Sequence, residues 1–547
     1  MKTDTLARYT SLLLLLAIFS FPVLAQDAAR LDEVVQAYVP DRFMGSVLVA
    51  RGDDIVFDKA YGSANLEWNV ANTPDTKFRL GSLTKQFTAA AILLLEEQGK
   101  LKTSDLLSAH LPNTPAAWED ITLHHLLSHE AGLPNVTSLP WYRENMTKPA
   151  TAQATIDAFK DMPLEFVPGS EFRYSNSGFI VLGRVVELVS GMSYADFLRE
   201  NIFTPLGMAN SGYDSNTQLL PKRAAGYAPG PNGPVNAGYV DMSVPHGAGA
   251  LYSTTGDLLR WNQGLFGGKL LSAESLAKMT TPNLGDYAYG VMVTTDHGGK
   301  KVSHNGSIQG FNTAMTYYPE EKLLLVALSN LNGTAPDVIV DHLDSVMHGE
   351  DVTLPGQHRE ITLANDVLQQ YVGTYPLAPN LAMSIMLQDG QLVGQMTNQG
   401  TVPIYAESET RFFLKVVEAS IDFQKDAAGN VTGLTLNQNG RSISGAKQAL
   451  VAPPPLPAEI SVPAEVLARY VGSYTLAPNF ILTVTLEDGQ LVTQATGQQK
   501  LPIYAETETK FFLKQVRASI EFQLNEAGAV TGLVLNQNGR SVPAPKQ

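Results

Sequence analysis

The stretch Phe78-Arg-Leu-Gly-Ser-Leu-Thr-Lys-Gln-Phe-Thr-Ala-Ala-Ala-Ile-Leu-Leu-Leu-Glu-Glu-Gln-Gly-Lys-Leu101 is the one around which the chain is organised. Gly81 permits a tight entry, Ala89 to Leu95 are apolar with no polar stripe, and Gly99 supplies a stop. A helix that is apolar all round is a buried helix. Ser82 is expected in its first turn, and Lys85, three residues on, shares Ser82's face. A hydroxyl, an amine one turn away and the positive end of a helix dipole together make a nucleophile site. The plainer alternative is an N-capping serine beside a solvated lysine. The Ser-x-x-Lys string does not exclude it, since Ser275/Lys278 and Ser444/Lys447 match as well.

Working outward, 547 residues exceed the usual size of one domain, and 44% apolar residues suffice for a large core. A formal charge of −15 with no basic run argues against a nucleic-acid partner. Residues 1–25 read as a secretory signal: Lys2 and Arg8 precede the apolar run Leu12 to Leu24, and Val23-Leu24-Ala25 forms a small-residue exit. That run is short for a membrane span, so no span is expected in the mature chain. The chain has no cysteine, which rules out disulfides, thiolate–metal sites and a lipid-bearing cysteine. An exported, soluble protein of the bacterial periplasm or medium is expected.

Before the central stretch, Gly45 to Trp68 reads as two strands around an Arg51-Gly-Asp-Asp54 turn. After it comes a Pro-punctuated helical region, about 104–265, with helices expected near Leu123–His129, Ser177–Val189 and Tyr194–Ile202. Strands return at Lys301–His304, Phe311–Tyr318 and Leu323–Ser329, and a helix near Ala335–His348 closes the region. A hairpin, then helices, then three strands describes one antiparallel sheet with its helices grouped, an α+β fold over residues 26–350. The remainder is an internal repeat, residues 365–450 and 464–547. Tyr371-Val-Gly373 recurs as Tyr470-Val-Gly472, and about three positions in five agree without a gap as far as Lys447-Gln448 and Lys546-Gln547. Asp389-Gly390 and Asp488-Gly489 are hairpin turns between alternating strands, so each copy is expected to form a small antiparallel, lipocalin-like barrel. Ala452-Pro-Pro-Pro-Leu-Pro457 between the copies is a stiff linker. Neither copy holds an obvious nucleophile or metal cluster, which suits a lid, spacer or stabilising module.

A serine nucleophile needs a base. One candidate is Tyr174, in Tyr174-Ser-Asn176 before an apolar helix; a phenol near a lysine ammonium has its anion favoured and can take the serine proton. The alternative is a tyrosine bonded to a loop carbonyl. A second candidate is His304-Asn-Gly306-Ser307, following a strand. Gly306 lets a substrate approach the strand edge, and the Ser307 and Ser82 N–H groups together make an oxyanion hole. His297-Gly-Gly299 fits the same His-x-Gly pattern but lies in a hairpin turn and is set aside.

In this order, Ser-x-x-Lys, Tyr-x-Asn and His-x-Gly resemble the penicillin-recognising serine hydrolases, which include class C β-lactamases, D-alanyl-D-alanine carboxypeptidases, D-aminopeptidases and related esterases. Ile121-Thr-Leu-His-His-Leu-Leu-Ser-His-Glu-Ala-Gly-Leu-Pro134 is similar to that family's LLTHTSGLP segment, and Gly247-Ala-Gly-Ala-Leu-Tyr-Ser-Thr-Thr-Gly-Asp-Leu-Leu-Arg-Trp261 to its GGLYST helix entry. The resemblance covers about residues 30 to 350. It implies a β-lactamase/transpeptidase-like fold and an acyl-enzyme on Ser82, with Lys85 and Tyr174 sharing the acid–base work as a coupled pair. It implies further that Asn176 holds the substrate amide and that His304 lies on the strand clamping the acyl group. No cofactor is implied, and His124, His125, His129 and Glu130, which invite a zinc reading, fall in a structural segment. β-Lactamases and carboxypeptidases of the family usually carry Lys where this chain has His304. A mostly neutral histidine weakens the pull on a substrate carboxylate and is closer to D-aminopeptidases and esterases. The layout of one catalytic domain and two barrels also resembles the D-aminopeptidase. The expected substrates are D-amino-acid peptides, short-chain esters or, handled slowly, β-lactams. The competing expectation is a non-hydrolytic protein that binds penicillin or peptidoglycan fragments and signals through its barrels.

Overall fold

A computed structural model describes residues 28–355 apart from 231 and 232, and residues 358–546 apart from 359, 451–456 and scattered positions in the barrel turns. Residues 1–25, expected above to be a secretory signal, most of the proline linker and Asp488 lie outside the described residues. The chain divides into two compact units, residues 1–356 and 357–547.

The first unit is built on a six-stranded antiparallel sheet. Strands β1 (Gly45–Arg51) and β2 (Asp54–Tyr61) form the expected hairpin, and β3 (Met292–Asp296), β4 (Gly299–Ile308), β5 (Phe311–Tyr318) and β6 (Leu323–Ser329) follow. Their order across the sheet is β3-β4-β5-β6-β1-β2. The run Leu323–Ser329 is buried throughout because both faces of the sheet are covered. Alternate residues go to opposite layers. Leu323, Leu325 and Ala327 pack with Val47 and Val49 under the N-terminal helix α1 (residues 28–36) and the last helix of the unit. Leu324, Val326 and Leu328 pack with Leu48 and Ala50 against the helical layer.

That layer contains α2 (Thr84–Glu97), α3 (Leu123–Leu127), α4 (Asn176–Ser190) and α5 (Thr255–Phe266); α6 (Ala335–Met347) closes the unit on the opposite face. α2 is buried from Thr84 to Leu93, including the part of it, from Ala89 on, that has no polar stripe to turn toward solvent. Three details differ from expectation. Ser82 lies in a separate 3-10 turn, Gly81–Leu83, ahead of α2 rather than within its first turn. α3 ends at Leu127 because His129 takes a left-handed conformation, φ 61°. β3 was not anticipated: Met292 is exposed and the strand carries a polar run, so only one face of it is apolar. Among the described residues no single helix is long and apolar enough to cross a membrane.

The second unit holds the repeat. In the second copy eight antiparallel strands, from Gly472–Ala477 to Arg540–Pro545, follow one another in sequence order. An antiparallel bridge from Tyr474 to Lys546 brings the two ends together, making a nearly closed barrel. The first copy pairs in the same succession as a four- and a five-stranded sheet and is joined by a Thr374–Gln448 bridge. Each copy has its own core around equivalent rings, Tyr371, Tyr375, Phe412 and Phe423 in one and Tyr470, Tyr474, Phe511 and Phe522 in the other. Asp389 and Gly390 both have positive φ, the geometry of a two-residue hairpin turn.

Candidate active site

The turn carrying Ser82 is fixed by backbone contacts on both sides. Gly81 has φ 53°, and a Cβ there would lie 2.8 Å from the Ser307 nitrogen of β4. A Cβ on Gly306 would lie 2.0 Å from the Leu80 carbonyl oxygen, which accepts a hydrogen bond from Thr313 Oγ1 at 2.9 Å. Gly306 is therefore closely approached by the backbone leading into the Ser82 turn, and it is not among the described residues lining the cleft. This corrects the expectation drawn from the sequence.

Lys85, on the first turn of α2, is fully buried. Its Nζ lies 3.0 Å from Ser82 Oγ and donates to Asn176 Oδ1 and to the Ala248 carbonyl, both at 2.8 Å. Asn176 opens α4, and its amide is oriented by Asn135 Oδ1 and Thr137 Oγ1, at 3.3 and 3.2 Å from Nδ2. The capping alternative for Ser82 does not hold, because its side chain caps neither the turn nor α2. It does describe the other matches. Ser275 sits in a helix start capped by Ser272, and Lys278 pairs with Glu96 at 3.2 Å. Ser444 and Lys447 belong to the first barrel copy.

Tyr174 hydrogen-bonds Ser82, and its ring lies under the Lys85 amine, 4.9 Å from ring centroid to Nζ. Burial lifts the phenol well above its usual range, with only the Ser82 bond opposing, and burial holds the Lys85 amine well below its own. The anion expected for Tyr174 is thus disfavoured: the amine faces the ring, not the oxygen, and burial penalises the charge.

His304 also departs from expectation. Its side chain turns inward behind Tyr174 and does not line the cleft. Nδ1 donates to the Asn305 carbonyl at 2.5 Å and Nε2 accepts from Tyr287 Oη at 2.9 Å, so both nitrogens are occupied. Burial, reinforced by the neighbouring Lys85 amine, pushes its pKa down to about 3. Alternation along β4 explains the orientation: Val302, His304, Gly306 and Ile308 face the helical layer, whereas Asn305 bonds Asp337 of α6.

His129, singled out only within a metal cluster, brackets Tyr174. Its carbonyl accepts from Arg173 N at 2.9 Å, its Nδ1 from Ser175 N at 3.2 Å, and its ring lies 4.2 Å from that of Tyr174. The neighbours have separate duties. His125 completes the N-terminal cap of α3 with Thr122, His124 bonds Tyr289, and the buried Glu130 accepts from Asn283 and Leu284 in the segment leading to Tyr287. Asn135, Thr137, Ala248, His129 and Tyr287 escape motif reading because their roles arise only when distant segments meet.

Ser82, Asn176 and Ser307 line one cleft of about 630 Å³. Thr137, Tyr142, Gln309, Asn312, Asn332 and Thr334 add neutral polar groups, and Ile180, Val244 and Pro245 apolar ones. Among the described residues lining it there is no Lys, Arg, His, Asp or Glu.

Comparison with known proteins follows the same division. A family model described as Beta-lactamase matches residues 31–344, and one described as Domain of unknown function (DUF3471) matches residues 357–447 and 456–543. Penicillin-binding protein 4* of Bacillus subtilis is 31% identical over 71% of this chain and 92% of its own length. The crystal structure of a penicillin-binding protein from Bacillus halodurans superposes with a TM-score of 0.53 at 29% identity, covering 58% of this chain and 98% of that one. A D-stereospecific amidohydrolase from Streptomyces sp. shares the fold at a TM-score of 0.52 and 23% identity, covering 59% of this chain and 99% of its own.

Proposed function

The chain belongs to the beta-lactamase family, and on that premise we propose that it is an exported serine hydrolase forming an acyl-enzyme on Ser82 with small, uncharged amides or esters. The environment of the Lys85 amine carries this reading. Two of its three partners, the Ala248 carbonyl and Asn176 Oδ1, only accept. An uncharged amine has two hydrogens, and those partners use both. Its lone pair then faces Ser82 Oγ at 3.0 Å, within reach of the serine proton. Burial, which disfavours the ammonium, shifts the base toward that form.

As Ser82 Oγ bonds to the acyl carbon, its proton passes to Lys85. Tyr174, held as the neutral phenol beside Oγ, gives a proton to the leaving atom as its bond to carbon breaks; the proton gained by Lys85 balances the one Tyr174 gives up, and water entering the cleft carries it from amine to phenolate. Water enters by the reverse route and releases the acid. The N–H groups of Ser82 and Ser307 are the oxyanion donors in this scheme; losing one such donor typically costs about 10²–10³ in rate.

The uncharged lining favours substrates without a carboxylate beside the scissile bond, such as D-amino-acid amides and short-chain esters. β-Lactams, which carry that carboxylate, are slow substrates in this reading. The N-terminal signal composition supports export, and the two barrel copies serve as lid, spacer or stabiliser. The test is turnover of a chromogenic short-chain ester, with intact-mass detection of an acyl adduct. Ser82→Ala should abolish both and Ser275→Ala neither; turnover surviving in Ser82→Ala refutes the assignment. Matched substrates differing only in a free or amidated carboxylate should separate by at least tenfold in kcat/KM, the amide being preferred.

A further inference from the structure

Far along the sheet from Ser82, the β3–β4 turn, the β5–β6 turn and the end of α6 bring together a second group of side chains. Asp344 and His348 are one helical turn apart, and His348 Nδ1 lies 3.0 Å from Asp344 Oδ1. His297 enters from the β3–β4 turn, held at φ 46°. One ligand atom from each of these three residues lies within 4.8 Å of the other two.

The second observation is an orphaned oxygen. Asp344 is 3% exposed. Its Oδ2 is taken by Lys301 Nζ at 3.0 Å and Tyr318 Oη at 2.5 Å. Its Oδ1 is buried with no hydrogen-bond partner, because the His348 Nδ1 hydrogen goes to the Asp344 main-chain oxygen at 2.8 Å. A buried carboxylate oxygen pointed at an imidazole nitrogen without a shared proton lacks a positive centre between them.

We propose that Asp344 Oδ1, His348 Nδ1 and His297 form a binding site for a divalent transition-metal ion of the zinc type, separate from the hydrolytic cleft. The donor set suits such an ion better than calcium or magnesium, which prefer all-oxygen shells. Two donors each about 2.1 Å from a tetrahedral zinc sit about 3.4 Å apart, so the 3.0 Å between Asp344 Oδ1 and His348 Nδ1 needs to open only slightly. The surroundings supply the outer partner such sites need: Glu321 Oε1, 3.0 Å from His348 Nε2, accepts the hydrogen there once Nδ1 coordinates. Binding thereby displaces the Nδ1 proton into solvent, so affinity falls as pH falls. The two imidazoles are stacked in the free site, centroids 3.8 Å apart and 8° from parallel. His297, on the exposed turn, is the one that tilts to bring its nitrogen to the ion. Glu350 Oε1, 3.5 Å from His297 Nδ1, adds negative charge at the mouth.

The experiment is zinc chloride titration of the chelator-treated full chain by calorimetry, with thermal melting in parallel. One equivalent should bind and raise the melting temperature, while magnesium chloride does neither. His297→Ala, a change in an exposed turn, should weaken binding at least tenfold with ester turnover of the metal-free protein unchanged. His348→Gln should do the same, and His124→Ala should leave zinc binding intact. Absence of a one-equivalent event, affinity within twofold of wild type in both His297→Ala and His348→Gln, or its loss in His124→Ala overturns the proposal. None of these outcomes depends on the hydrolytic reading.

Discussion

At the scale of single residues, the site works by what it withholds from Lys85. With two obligate acceptors and no counter-charge among its hydrogen-bond partners, the buried amine is held well below its ordinary pKa. In the proposed mechanism the uncharged amine is the active form, so kcat/KM should rise with pH through the depressed Lys85 pKa and level off well below the ordinary lysine range near 10.5. A pH–rate profile that climbs only near that ordinary value would contradict this. Lys85→Met should cost about 10²–10⁴ in kcat. His129→Phe keeps a ring against Tyr174 but loses the acceptor for Ser175 N. It should lower kcat about tenfold with KM little changed, and combining it with Tyr174→Phe should add little further loss, since both act through one phenol. Ser82, Lys85 and Tyr174 were legible as motif residues. The orientation of His304 was not, because a side chain's face on a strand depends on which layer the strand packs against.

At the scale of elements, the Ser82 turn is seated on β4 by two glycines. Gly306→Ala would place a methyl group 2.0 Å from the Leu80 oxygen, in a spot walled by backbone and by Thr313. It should lower stability by about 3 kcal/mol and reduce turnover more than affinity, measured by urea unfolding alongside kcat and KM. Most strands and long helices were legible because alternation and apolar runs extend over many residues, as in Leu323–Ser329 and Ala89 to Leu95. Element ends were less so. α3 stops short where His129 turns left-handed to reach Ser175, a tertiary demand that no local pattern announces.

At the scale of the whole molecule, buried neutral imidazoles tie stability to pH. Burial pushes His304 down to about 3 and His246 to about 4, and His129 well below its usual value. Unfolded, each takes a proton near pH 6.5, whereas folded each does not. Their contribution is therefore intact above that pH and lost as pH falls toward 3–4, by up to about 1.4 kcal/mol per pH unit for each histidine. Urea midpoints should fall steadily from pH 7 to 5, ahead of most carboxylate titration; a constant midpoint would rule this out. The repeat was legible as identity at a constant offset, while the Tyr474–Lys546 closure was not, since it joins the ends of a copy. Every side chain placed around Ser82 comes from the first unit, so residues 28–355 expressed alone should keep ester turnover within about threefold. A larger loss would assign the barrels a part in catalysis.

The seating of Leu80 against Gly306 has one more consequence. Because the position of the Ser82 turn is set by main chain against main chain, it is insulated from drift in the surrounding hydrophobic interior. A library of conservative swaps among the apolar residues of α4 and α5 should yield many variants that melt earlier yet cleave ester at nearly the parental rate. Tolerance of that kind would let descendants of this scaffold reshape the mouth of the cleft without re-evolving its chemistry.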